Sequence, residues 1–307
     1  MLTRLESGRA DVAIVGGGPA GLAAATYLGR FMRSVVVLDA GNARARLIPS
    51  THNCPGFPHG ISGVDLLARL REQATSYGAR IVAATVNSVD RRGDGFILST
   101  TDGMFETSFI IMASGVVDRA PAMPGLKERV AAGKVRMCPL CDGYEVAGKR
   151  IGVIGPEDLA LGEAMFLRHY SSDIVLLAKP PSDFSPATRM QASQAGIELW
   201  DSVDDIEDDG PGLAVAMAGG SARRGLDTIY VAMGCDVRSE LALSLGASAD
   251  EEGYILVDRK LRSSVQGLYA IGDVAKALNQ IAVGFGQAAI ASTDIHNALR
   301  MQDAANR

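Results

Sequence analysis

The chain has 307 residues and lacks three things that would each point to a class of function. It has no surplus of positive charge: 30 Lys and Arg stand against 35 Asp and Glu, for a formal net charge of −5. A phosphate backbone or an anionic lipid surface therefore meets no electrostatic footprint, and neither nucleic acid nor membrane is expected as a partner. It has no clean hydrophobic span. The stretches Val12 to Gly29 and Ala277 to Thr293 carry no charge, but the first is broken by Gly16, Gly17, Gly18, Pro19, Gly21 and Gly29. The second holds Asn279, Gln280, Gln287, Ser292 and Thr293. Both read as buried elements, not bilayer crossings. Arg4, Glu6, Arg9 and Asp11 precede the first apolar run, so no secretory signal is expected and the cytoplasm is the expected compartment. Metal-binding side chains are sparse: the four histidines, His52, His59, His169 and His296, are scattered, and there are four cysteines.

What is present in excess is glycine, 35 of 307 residues or about 11% against a usual 7% or so. Length alone sets a prior of two domains, each able to bury its own core. The apolar run Asp11-Val-Ala-Ile-Val15, the helix-permissive Ala20 to Leu28 and the run Ser34 to Leu38 make strand, helix and strand in about thirty residues. The plan repeats at Arg150-Ile-Gly-Val-Ile154, Leu159 to Tyr170 and Asp173 to Leu177. The expected fold is therefore α/β, with two doubly wound Rossmann-like nucleotide-binding domains. Between them, Leu67, Leu70 and Ala74 have helical spacing, and Ile81 to Ile111 has strand character broken at Arg92-Gly-Asp-Gly95 and Thr101-Asp-Gly103. Pro121, Pro124 and Gly125 place the domain boundary near Arg119. A strand Gly267 to Ile271 and a helix Gln280 to Leu299 close the chain.

Gly16-x-Gly18-x-x-Gly21 follows a strand and opens a helix, with Asp39 at the end of the next strand. The first glycine makes the turn, the second lets backbone approach a pyrophosphate, and the third allows close helix packing. The helix-start amides hold phosphate, and Asp39 accepts from ribose hydroxyls. Near the other end, Gly272-Asp273 stands after a strand, ahead of a helix start between Gln280 and Ala289. A carboxylate for ribityl hydroxyls and a helix N-terminus facing a reduced isoalloxazine favour FAD as the dinucleotide.

Only Cys138-Pro-Leu-Cys141 has the spacing of a thiol pair that closes a small disulfide ring. Such a pair is redox-active or half of a zinc site, and zinc would need two further soft ligands for which no second pair exists. Asp142 follows directly, where a carboxylate can serve the proton steps of thiol exchange or simply be a solvated turn residue. Cys54 and Cys235 read as small buried hydrophobes.

These residues together resemble the low-molecular-weight thioredoxin reductases. The matching motifs are Gly16-Gly-Gly-Pro-Ala-Gly21, Asn53-Cys-Pro-Gly-Phe-Pro58, Ala113-Ser-Gly115, Cys138-Pro-Leu-Cys-Asp-Gly143 and Ile271-Gly-Asp-Val274, in that order across nearly the whole chain. The resemblance implies an FAD domain made of residues 1–119 and 238–307, with a second NAD(P)-binding-like domain, 120–237, inserted in it and carrying the dithiol. It implies cofactor contacts from Gly16, Gly18, Pro19, Ala20, Gly21, Asp39, Ala40, Asn53, Ala113, Ser114, Gly115, Gly272, Asp273, Gln280 and Ile281, and no metal. It also implies Cys141 facing the flavin, Cys138 attacking a substrate disulfide, Asp142 exchanging protons, and a homodimer whose domains rotate.

Three places depart from the family pattern. The second glycine loop reads Gly155-Pro-Glu-Asp-Leu-Ala160, with Glu157 where a missing side chain lets the pyrophosphate approach. Its carboxylate at about 4 Å from one phosphate charge costs about 4 kcal/mol at an effective dielectric of about 20. Asp158 adds to the repulsion, and Pro156 removes an amide donor. The basic cluster that reads the 2′-phosphate of NADPH falls on Ala178-Lys179-Pro180-Pro181. After Asp39, a turn against the flavin is replaced by Ala43-Arg-Ala-Arg-Leu47, placing Arg44 or Arg46 near phosphates.

The expected activity is a flavin-dependent disulfide oxidoreductase that passes electrons between FAD, the Cys138/Cys141 couple and a disulfide such as that of a thioredoxin-like protein. The expected donor is not NADPH but ferredoxin or a second flavin held by the inserted domain. The alternatives are a dithiol oxidase that passes electrons from a small-molecule dithiol to oxygen, an ordinary NADPH-dependent reductase, and a non-catalytic flavin-binding regulator.

Overall fold

A computed structural model describes residues 8–179, 184–220 and 223–305. The chain divides into two compact units: one gathers the residues up to Arg46, Ile61–Val117 and the chain from Asp236 onward, and the other gathers Leu47–Gly60 and Asp118–Cys235.

In the first unit, β1 (Gly8–Val15), α1 (Pro19–Arg30) and β2 (Val35–Leu38) form the first strand, helix and strand. β1 and β2 run parallel, from Val12 beside Val35 to Val15 beside Leu38. Val12 to Val15 and Val35 to Leu38 are all buried, the continuous apolar pattern of strands covered on both faces. Helix α2 (Gly63–Ser76) starts at Ser62, whose hydroxyl accepts from the Asp65 amide, satisfying one of the unpaired amides of a helix start. β3 (Arg80–Val82) adds a parallel edge beside β2. The stretch with broken strand character forms β4 (Val86–Arg92), β5 (Gly95–Thr100) and β6 (Gly103–Met112). They turn at Gly93-Asp94 and Thr101-Asp102, two-residue loops of the kind that joins adjacent antiparallel strands. The chain leaves this unit through β7 (Val116–Asp118).

The second unit holds α3 (Leu126–Ala131), β8 (Val135–Arg136), α4 (Pro139–Asp142), β9 (Ile151–Ile154), α5 (Glu157–Leu167), β10 (Ile174–Leu177), α6 (Pro186–Ala195) and β11 (Glu198–Trp200). An antiparallel three-stranded sheet follows: β12 (Val203–Asp209), β13 (Gly212–Met217) and β14 (Arg223–Leu226). β15 (Thr228–Val231) then returns to complete a parallel sheet of order β11-β10-β9-β15-β8. The helix of the repeated plan begins at Glu157, two residues before the expected start, because Glu157 and Asp158 suit a first helical turn where amides are unpaired and the dipole is positive. Trp200 and Tyr230 are among its largest fully buried side chains.

The chain returns through β16 (Cys235–Val237) to α7 (Glu240–Ser244), β17 (Leu268–Ala270) and α8 (Ile281–Ala305). β17 pairs in parallel with Ile110 to Met112 of β6, beyond the part of β6 that pairs with β5. The first unit's sheet thus has the order β3-β2-β1-β6-β5-β4 with β17 beside β6, and α8 packs along α1. No described helix is long and apolar enough to cross a membrane.

Candidate active site

In the first unit the predicted cofactor residues follow the carboxyl ends of neighbouring parallel strands, where ligands of doubly wound sheets bind. Gly16 follows β1, Asp39 and Ala40 follow β2, Ala113-Ser114-Gly115 follow β6, and Gly272-Asp273 lie just after β17. Backbone bonds lock this edge: the Gly16 amide donates to the Leu38 carbonyl, Ala113 to Val15 and Ile271 to Met112, each at 2.9 Å.

The loop's glycines differ in what they do. Gly16 sits at φ +116°, and a Cβ there would run into the Ala113 carbonyl; only glycine fits. Gly18, by contrast, faces open space. It is also the N-cap of α1, and no side chain caps that helix. Pro19 and Ala20 open α1, so its positive end is open to an incoming anion. This open cradle fits the pyrophosphate of FAD.

The carboxylates of the edge are already engaged. Asp39 is buried, accepts from the Gly41 amide at 2.9 Å through Oδ1 and forms an ion pair through Oδ2 with Arg71 of α2. A carboxylate has about four acceptor positions, so room for a ribose hydroxyl remains. Asp273 accepts from Arg44, one of the two arginines expected near phosphates, at 3.1 Å. The Gly272 amide donates to Oε1 of Gln287 at 2.6 Å. Gln280 precedes α8 and Ile281 is its first residue. Asn53 lies in Leu47–Gly60, the segment grouped with the second unit, where its Oδ1 accepts from the Thr51 hydroxyl at 2.8 Å. Arg71 and Gln287 are the contributors that the sequence reading did not assign.

Behind this edge, Asp294 of α8 is held by Arg262 through two bonds of 2.6 and 2.7 Å, by the Tyr269 hydroxyl at 2.7 Å and by Lys260 at 3.0 Å. Burial works against its charge, but these donors outweigh it and bring the carboxyl down to about 2.

In the second unit, Cys138 and Cys141 form a disulfide with Cα atoms 5.3 Å apart. Cys138 is the extended N-cap of the short helix α4, and Pro139 occupies its first turn. The Cys141 amide donates to the Cys138 carbonyl at 2.9 Å. Asp142 ends the helix with both oxygens engaged: Oδ1 accepts from the Tyr230 hydroxyl of β15 and Oδ2 from Arg136 of β8, each at 2.7 Å. Burial, and then the charge of Asp142, push the Tyr230 hydroxyl well above its ordinary range, so it stays a donor. On α5, Glu163 is partly buried, its Oε2 has no hydrogen-bond partner, and burial raises the carboxyl to about 7.

The second glycine loop is built differently from the first. A Cβ on Gly155 would run into the Ala232 carbonyl, so the strand-end turn is tight. Pro156 is the N-cap of α5 and offers no side-chain bond. Glu157 turns its Oε1 to the Ser185 amide at 2.8 Å. Hydrogen bonds from the Ser185 and Thr188 side chains and the Ser185 amide hold its carboxyl below the usual range. Pro180 and Pro181, in the stretch expected to read a 2′-phosphate, lie outside the described residues.

An FAD-type cradle and a dithiol on a βαβ unit define a flavin-dependent thiol/disulfide oxidoreductase, and similarity to known proteins places the chain within that class. Residues 10–292 match the pyridine nucleotide-disulphide oxidoreductase family, and the chain belongs to it. It is 29% identical to the thioredoxin reductase of Borreliella burgdorferi over 94% of this chain and 92% of that one. It is 29% identical to the thioredoxin reductase of Mycolicibacterium smegmatis over 95% and 97%. The crystal structure of HlmI superposes with a TM-score of 0.89 at 27% identity, covering 97% of this chain and 94% of that one.

Proposed function

We propose that the protein passes electron pairs between FAD, the Cys138/Cys141 couple and the disulfide of a thioredoxin-like protein, and that its electron donor is ferredoxin or a second flavin, not NADPH. The flavin supplies two-electron transfer to and from the cysteine pair. Gly16, Gly18 and the start of α1 would hold its pyrophosphate, and Asp39 and Asp273 would hold its hydroxyls. Cys141 is the thiol of the pair that would exchange electrons with a bound flavin, Cys138 attacks the substrate disulfide, and Asp142 carries protons between the thiols.

The observation behind the donor assignment is the Glu157 carboxylate, held at the start of α5 by Ser185. An anion of the chain's own stands in the loop where a nicotinamide dinucleotide would bring its pyrophosphate. Mixing the purified holoenzyme with NADPH without oxygen tests this: the flavin should stay oxidised over minutes. Bleaching at a catalytic rate overturns it. Peroxide released on adding a small dithiol in air would instead mark a dithiol oxidase.

A further inference from the structure

We propose that Tyr230 and Arg136 are positioning residues that act through Asp142 and assign its working proton to one atom, Oδ1. The inference rests on Asp142 serving the cysteine pair, and it says how.

The two partners of Asp142 are chemically unequal. A guanidinium can only donate, so Arg136, 2.7 Å from Oδ2, has nothing to offer a proton placed on that oxygen. A phenol hydroxyl donates and accepts. Tyr230 donates to Oδ1 of the carboxylate at 2.7 Å and, by turning about its C–O bond, accepts from the same oxygen once that oxygen is protonated. Arg136 fixes the carboxylate plane, and Tyr230 supports both protonation states. Tyr230 is fully buried, so no water easily takes its place, and an unmatched Oδ1 there carries the full cost of an unpaired polar atom.

In the exchange, the Cys138 thiolate attacks one sulfur of the substrate disulfide and the first substrate thiolate leaves. Cys141 gives its proton to Oδ1 of Asp142 and attacks the Cys138 sulfur, closing the protein disulfide and releasing the second thiolate. Two electrons pass to the substrate; the charge of the Cys138 thiolate leaves with the first product thiolate, and the one proton of the pair, from Cys141, passes through Oδ1 of Asp142 to the second product thiol.

A double-mutant cycle separates a positioning role from a structural one, because only residues acting through Asp142 lose their effect when Asp142 is gone. The holoenzyme is reduced with dithionite without oxygen and mixed with a small aromatic disulfide, and release of the second aryl thiolate, the step that runs through Asp142, is timed, so the natural donor plays no part. Asp142→Asn should slow release by about a hundredfold. Tyr230→Phe should slow it about tenfold with Asp142 present and by less than twofold in the Asp142→Asn background. Arg136→Met should behave like Tyr230→Phe, with Arg136→Lys restoring most of the rate, and this pair decides the matter if Tyr230→Phe does not fold. Equal slowing in both backgrounds, or none in either, overturns the inference while leaving the disulfide activity standing. A wild-type holoenzyme that releases no aryl thiolate overturns both.

Discussion

The two units build the same strand, glycine turn and helix, then treat negative charge in opposite ways. In the first, Gly18 leaves the start of α1 uncapped and open, while the surrounding carboxylates are matched with cations: Asp39 with Arg71, Asp273 with Arg44, Asp294 with Arg262. An arriving diphosphate meets amides and a positive helix end. In the second, Glu157 already supplies an anion at the start of α5, and Glu163 on the same helix has an oxygen with no partner. One helix start is prepared for a ligand's charge; the other carries its own. The same βαβ plan therefore does not give its helix start the same charge.

Breaking the open loop should have the largest effect. Gly16→Ala places a methyl group against the Ala113 carbonyl at a φ of +116°, with no flexible side chain to yield. A loss of about 3 kcal/mol in unfolding free energy is expected, together with protein that purifies without flavin colour. Flavin content near one per chain in this variant would mean that the cradle is not where the cofactor sits.

The two units should also respond to pH in opposite directions. Burial raises Glu163 to about 7 from an ordinary value near 4.5, so the folded state holds a proton that the unfolded chain gives up. Its contribution is complete below about pH 4.5 and is lost as pH rises through 7. Glu163→Gln should raise stability by about 3 kcal/mol at alkaline pH and leave it unchanged in acid. Denaturant titrations across that range measure the difference, and an equal gain at every pH would show packing, not charge, as the cause.

Asp294 carries the opposite sign. Its folded value of about 2 lies below the ordinary 3.8, so its contribution is present above about pH 4 and disappears as pH falls through 2. About 2 kcal/mol of stability is at stake. Asp294→Asn should remove that acid dependence. Because α8 also carries Gln287, which receives the Gly272 amide, the variant should release flavin at a lower denaturant concentration than the wild type.

The open loop was legible in the sequence because everything it needs is local: Gly16, Gly18 and Gly21 within six residues and Asp39 at the end of the adjacent strand. The thiol pair was legible for the same reason. What could not be read were partners brought in by the fold. Tyr230 lies 88 residues from Asp142, Arg71 lies 32 from Asp39, and Ser185 lies 28 from Glu157. Even Arg136, only six residues from Asp142, required a strand followed by a turn of helix to point back at it. The start of α5 was misplaced by two residues because Glu157 and Asp158, read as charges repelling a phosphate, are also favourable residues for a first helical turn.

That double reading sets the last and smallest test. If Glu157 is chiefly a first-turn residue, its removal should cost helix stability and do nothing for ligands; if it stands in for a phosphate, its removal should admit one. Glu157→Gly deletes the charge and the side chain together, while Glu157→Gln keeps the side chain and most of its reach to the Ser185 amide. Pro156 and Asp158 remain in both variants, so the site is only partly cleared. We expect the glycine variant to bind NADPH about tenfold more tightly than the wild type, or about 1.4 kcal/mol, with the glutamine variant between them and the gain shrinking as salt rises. Equilibrium titration of the oxidised holoenzyme measures it. Equal, weak binding by all three would place the barrier elsewhere in the inserted unit and leave the carboxylate as a helix-start residue alone.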